Sequence, residues 1–151
     1  MKVIENASYT AKNLLTYRGT HDPRGSQKMF AQMKNYIERN EAQISGHIIS
    51  VMYSSDNATR VSDRQILIPL DREIPPTGDF AFKLELNLHD CLMVKHRGNP
   101  LLMMYACDAL LGKADELGYE IEHPIYYVIT KEPDYENPDY LEVEAYAVMS
   151  K

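Results

Sequence analysis

The chain has 151 residues, 44% of them hydrophobic and 25% charged, with 16 basic against 22 acidic side chains and a formal charge of −6. That is the size and balance of one globular domain, and it excludes disordered, collagen-like and coiled-coil classes. The acidic balance and singly scattered Lys and Arg argue against direct nucleic-acid binding, which requires a basic stripe, and without an apolar run of about 18 residues or an apolar signal core the expectation is a cytoplasmic protein with no membrane partner.

In chain order, an extended run from Tyr9 to Tyr17 ends at Tyr17-Arg18-Gly19. A helix follows from Ser26 to about Asn40, because Met29, Phe30, Met33 and Ile37 recur at three- and four-residue spacing while Lys28, Lys34, Glu38 and Arg39 take the other face. Two strands come next, Ile48 to Tyr53 and Gln65 to Leu70, with polar residues between them. The stretch 71–79, containing Pro75-Pro76-Thr77-Gly78, reads as a linker.

The pattern then repeats. Phe80, Phe82, Leu84, Leu86 and Leu88 alternate at strand period, with a turn or bulge expected at His89-Asp90 before Cys91 to Lys95 continues to His96-Arg97-Gly98. Asn99-Pro100 opens a second helix as N-cap and first-turn proline. Leu102, Ala106, Ala109, Leu110 and Leu117 form its buried face, and Gly118 stops it. Strands from Ile125 to Thr130 and Leu141 to Met149 complete the second half, the last lying 79 residues after its counterpart, as Arg97 does after Arg18.

The expected fold is therefore α+β: two pseudo-symmetric strand-helix-strand-strand repeats, about 7–70 and 80–149, forming an antiparallel assembly of about eight strands with two helices on one side. One repeat alone would leave a sheet face and an edge exposed, so a ligand cleft is expected where the repeats meet.

Several segments carry a resemblance: the duplicated Tyr17-Arg18-Gly19 and Lys95-His96-Arg97-Gly98, the run Leu117-Gly118-Tyr119 leading to His123-Pro124-Ile125-Tyr126, and the strands 65–70 and 144–149. Together they resemble the GyrI-like, or gyrase-inhibitor-like, small-molecule-binding domain, which also serves as the effector-binding part of multidrug-sensing transcription regulators. The resemblance implies binding of bulky, often cationic and aromatic molecules against stacked rings and a buried carboxylate, and some relatives are hydrolases using a carboxylate and a tyrosine. In the family the strand after the second helix reads Pro-x-x-Glu-x-Tyr, and Tyr127 stands here where that acid would lie. Cation binding or hydrolysis then requires Glu142 or Glu144 on the neighbouring strand to supply the charge.

Glu142 and Glu144 share one strand face, opposite Leu141, Val143, Ala145 and Ala147. They are either a solvated face or the counter-charge for a ligand. Tyr17, Tyr53, Tyr105 and Tyr127 are candidates for the wall of the cleft, since aromatic faces attract cations and planar ligands, while Tyr126 and Tyr127 must face opposite sides of their strand. Arg18 and Arg97 are expected to pair with carboxylates inside the molecule. His89 with Cys91 would form a nucleophile and base only on an unbroken strand, and His21, His47, His89, His96 and His123 lack metal-ligand spacing. The two cysteines, Cys91 and Cys107, suit a reducing compartment, and the sequons at Asn6 and Asn57 carry no weight there. The acidic loop with Tyr135 and Tyr140 is a solvated connection or a surface for a basic partner.

The leading expectation is a stand-alone, non-enzymatic protein without cofactor, metal or DNA-binding module, which binds a hydrophobic small molecule, cationic where a glutamate supplies the counter-charge. Its alternatives are a protein-interaction or adaptor module, binding a partner or a second copy, and a hydrolase with Glu142 or Glu144 as base.

Overall fold

The computed structural model describes residues 1–56 and 58–150, with every side chain among them except that of His123; the sequon at Asn57 lies outside the described residues. Six strands and two helices follow in the order β1 (Val3–His21), α1 (Pro23–Arg39), β2 (Ile48–Ser55), β3 (Ser62–Pro69), β4 (Ala81–Gly98), α2 (Met104–Leu117), β5 (Glu120–Lys131) and β6 (Leu141–Ser150). The class is α+β with antiparallel pairing, and each half has the expected strand-helix-strand-strand order.

The expected strand count resolves differently. β1 and β4 are long, at 19 and 18 residues, and the chain divides into two compact units inside them. One unit is Thr10–Asn87; the other is Met1–Tyr9 with Leu88–Lys151. Each unit thus holds four strand segments cut from six strands. Asn6, Asn13 and Asp90 adopt positive φ inside these strands, at 55°, 55° and 54°, a conformation that Asn and Asp tolerate better than most residues. The irregularity expected at His89-Asp90 is that local kink, and the strand continues through it.

In the first unit β3 lies between β1 and β2, pairing Leu15 with Ile68, Tyr17 with Ile66 and Ile49 with Leu67. One face packs against α1 through Leu15, Met33, Ile37, Ile68 and Phe80. Asp22 caps α1 by accepting from the Gly25 amide at 2.8 Å, and Pro23 fills the first turn, so the helix starts three residues before Ser26.

In the second unit β6 lies between β4 and β5, and α2 covers Leu92, Val94, Ala145, Ala147 and Met149 with Ala106, Leu110 and Ala114. Here the helix begins late. Asn99 accepts from the Leu101 amide at 2.9 Å, Pro100–Leu102 form a short 3-10 turn, and α2 starts at Met104. Leu102 therefore lies outside the buried stripe and is exposed, whereas Gly118 ends the helix as expected, with φ at 74°. Leu84 is also exposed, although the strand alternation grouped it with buried Leu86 and Leu88.

Candidate functional site

β6 sorts its side chains by parity. Val143, Ala145, Ala147 and Met149 are buried, the last three against α2, while Glu142, Glu144 and Tyr146 project from the opposite face. On that face Lys95 and Val128 flank Glu144 in register, and Met93 and Tyr126 flank Tyr146.

The two glutamates have different employment. Glu142 lies 3.5 Å from the Arg97 guanidinium and accepts from the Tyr140 hydroxyl at 2.9 Å. Exactly one repeat earlier in the chain, 79 residues back, Arg18 makes a two-point contact with Asp63 at 3.2 and 3.0 Å. Glu142 is thus the counterpart of Asp63 in an ion pair that both repeats share. Glu144 has no such counterpart: the equivalent position holds Gln65, which accepts from the Tyr53 hydroxyl at 2.8 Å.

Glu144 Oε1 accepts from the Tyr146 hydroxyl at 3.0 Å, and its Oε2 lies 4.0 Å from the Lys95 ammonium. Its side chain is 23% exposed and that of Lys95 is 54% exposed, so the pair is in contact with solvent. Tyr146 is only 5% exposed, and the ring of Tyr9 lies 5.4 Å from it at a tilt of 43°. Burial and then the Glu144 charge push the Tyr146 phenol well above its ordinary value, and the same two causes raise Tyr9. Both phenols stay protonated at neutral pH, which makes Tyr146 a fixed donor to the carboxylate.

The four candidate tyrosines occupy three environments. Tyr17 bonds His21 Nε2 at 2.6 Å and meets Phe80 edge-on, with centroids 6.1 Å apart. Its hydroxyl lies over Gly19, where an added Cβ would stand 2.2 Å from it, and this explains the Tyr-Arg-Gly sequence. Tyr53 has one face covered by the Arg18 guanidinium, 3.6 Å from its centroid. Tyr127 packs against the α2 core; burial first, and then the neighbouring Cys107 thiol, push it up to about 12. Tyr105 is exposed on α2. None of these four is grouped with Glu144.

Tyr9 and Tyr146 were not singled out in the sequence. The signal for Tyr146 was its spacing of two from Glu144, which fixes a common strand face. Nothing local marked Tyr9.

Other chemistry is weaker. Burial drives the Cys91 thiol up to about 11, away from the thiolate a nucleophile needs, and Asp90 breaks its register with His89. His96 is buried and bonded to the Asn99 carbonyl at 3.0 Å. Among the described residues no three His, Cys, Asp or Glu side chains stand together as a metal site, and no helix is long and apolar enough to cross a membrane.

Comparison with known proteins places the fold. The chain is similar over 100% of its length to 99% of the EcmrR C-terminal domain, at 11% identity and a TM-score of 0.72. The fold is shared with that domain. It also superposes with a TM-score of 0.77 and 11% identity on EcmrR in its DNA complex, where 99% of this chain spans only 58% of that one. A structure from Listeria innocua described as a hydrolase encoded by lin2189 matches at a TM-score of 0.65 and 11% identity, covering 99% of this chain and 91% of that one. No protein-family profile and no curated protein matches the sequence. The fold of these neighbours agrees with the GyrI-like resemblance, and at such identities the likeness is one of fold.

Proposed function

We propose that the protein binds a hydrophobic cationic small molecule without turning it over, and that Glu144 supplies the counter-charge. The observation that carries this reading is the held carboxylate: Tyr146 donates to Oε1 at 3.0 Å, while Oε2 lies 4.0 Å from an exposed lysine. A ligand cation displaces the Lys95 ammonium and gains a carboxylate whose orientation is already paid for. The half-buried Tyr9 ring beside Tyr146 offers an aromatic contact to the same ligand.

The non-enzymatic reading rests on the state of the tyrosine. Its hydroxyl is buried and committed to Glu144, and its raised pKa opposes formation of the phenolate that a base or nucleophile requires. The fold shared with part of EcmrR, a protein seen bound to DNA, supports a role as the ligand-sensing part of a transcription regulator, with DNA contacts made by a separate module.

A second reading, a protein-interaction module, is favoured by one observation. Leu101 in the 3-10 turn and Met104, Tyr105 and Leu111 on α2 are large apolar side chains left exposed, Leu101 at 79% and Met104 at 63%.

A thermal-shift series separates the two. Tetraphenylphosphonium should raise the melting midpoint in a concentration-dependent manner, less so at high salt, while a neutral aromatic and a benzoate-type anion should not. No shift with any of the three would reject the binding reading and leave the interaction module.

A further inference from the structure

A cleft of about 330 Å³ lies in the Thr10–Asn87 unit, between α1 and the linker that precedes β4. Gln32, Asn35, Tyr36 and Arg39 line one wall, at the spacing of a single helix face, and Thr77, Asp79 and Phe80 line the other. None of these residues belongs to the Glu144 site.

The linker is fixed in place. Tyr36 donates its hydroxyl to the Pro75 carbonyl at 2.5 Å, the Thr77 amide donates to the Phe80 carbonyl at 2.9 Å, and the Asp79 amide donates to Thr77 Oγ1 at 3.3 Å. Farther along, Arg72 donates to the carbonyls of Asn40 and Glu41 at the end of α1. Phe80 is buried in the core, and its ring meets that of Tyr36 with centroids 5.6 Å apart and planes at 51°. The Tyr36 ring thus stands in one wall of the cleft, braced by the buried Phe80 and with the Arg39 guanidinium 5.9 Å from its centroid.

Its charges decide the ligand. Arg39 is on the helix wall and Asp79 on the linker wall, and among the described residues neither has an ion-pair partner within 4.0 Å. A simple anion would meet Arg39 and be repelled by Asp79; a simple cation would meet the reverse. A ligand carrying both charges satisfies both walls, and a ring between them covers Tyr36 and Phe80. The volume lies near the lower end of small-molecule pockets, roughly 300–1,000 Å³, which selects a compact molecule with one ring system.

We propose that this cleft is a second binding site, for an aromatic α-amino acid, whose carboxylate meets Arg39, whose ammonium meets Asp79 and whose ring lies on Tyr36 and Phe80.

Calorimetric titration of the full chain with L-phenylalanine at millimolar concentrations tests this, with 3-phenylpropionate and phenethylamine as the two singly charged controls. The expected result is binding of L-phenylalanine about tenfold tighter than either control, lost by about tenfold in both Arg39→Gln and Asp79→Asn. Glu144→Gln should leave it unchanged, which keeps this site distinct from the one proposed above. Both cleft variants alter exposed side chains, and unchanged melting midpoints without ligand show that they fold. Absence of L-phenylalanine binding, equal or tighter binding of a control, or full binding by either variant would overturn the proposal.

Discussion

Glu142 and Glu144 sit two residues apart on one strand face, yet only Glu142 is tied to an arginine. Glu142 is tied to Arg97 and Tyr140, as Asp63 is tied to Arg18 in the other repeat. Glu142→Gln should therefore leave binding of a hydrophobic cation within about twofold of the parent, whereas Glu144→Gln removes a charge-assisted contact of about 1.5–3 kcal/mol, at least tenfold in affinity. Isothermal titration of the two variants compares them directly. Gly19 offers a second residue-scale test. A methyl group there would stand 2.2 Å from the Tyr17 hydroxyl, so Gly19→Ala should displace that ring, break its bond to His21 and lower the melting midpoint, while Gly19→Ala combined with Tyr17→Leu should recover part of the loss. At this scale the sequence was informative where a pattern was local. The glutamate pair and the two Arg-carboxylate contacts follow from parity and duplication. Which acid remained available did not, because it depends on Tyr140, Tyr146 and Tyr9, and strand pairing and bending place these.

Helices and strands were legible wherever apolar spacing and caps agreed. α1 shows its stripe in Met29, Met33 and Ile37, but its true start lies at Asp22-Pro23, ahead of the first apolar residue. Asp22→Ala should cost about 1 kcal/mol in chemical denaturation, since it leaves the Gly25 amide without its side-chain acceptor. α2 was misjudged at its first turn because Asn99-Pro100 caps a 3-10 turn before the helix proper, and Leu102 points outward as a result. At its other end Gly118 holds φ at 74°, so Gly118→Ala should cost about 1 kcal/mol, read by the same denaturation. β1 and β4 were the hardest to delimit. Their length exceeds ordinary strands, and kinks at Asn6, Asn13 and Asp90 interrupt the alternation from which strand ends are read.

For the whole chain, the duplication visible in sequence as a 79-residue offset returns as two units with the same order of elements and the same ion pair. Its titration behaviour follows from what those units bury. Burial raises Cys91 from 9.0 to about 11 and Tyr127 from 10.0 to about 12, with Tyr146 shifted in the same direction. The native state therefore holds these protons more tightly than the unfolded chain does. Their contribution to stability is complete below the unfolded values and is lost as pH rises through the folded ones. Melting midpoints should fall steadily from about pH 9 to pH 12, and Tyr127→Phe should flatten the upper part of that slope. The account as a whole turns on a carboxylate that Tyr146 holds and a cation can reach. The most direct measurement is calorimetric titration of tetraphenylphosphonium into the parent protein and into Glu144→Gln at low salt: saturable binding to the parent that weakens at least tenfold in the variant is the predicted result, and equal affinity for both would contradict it.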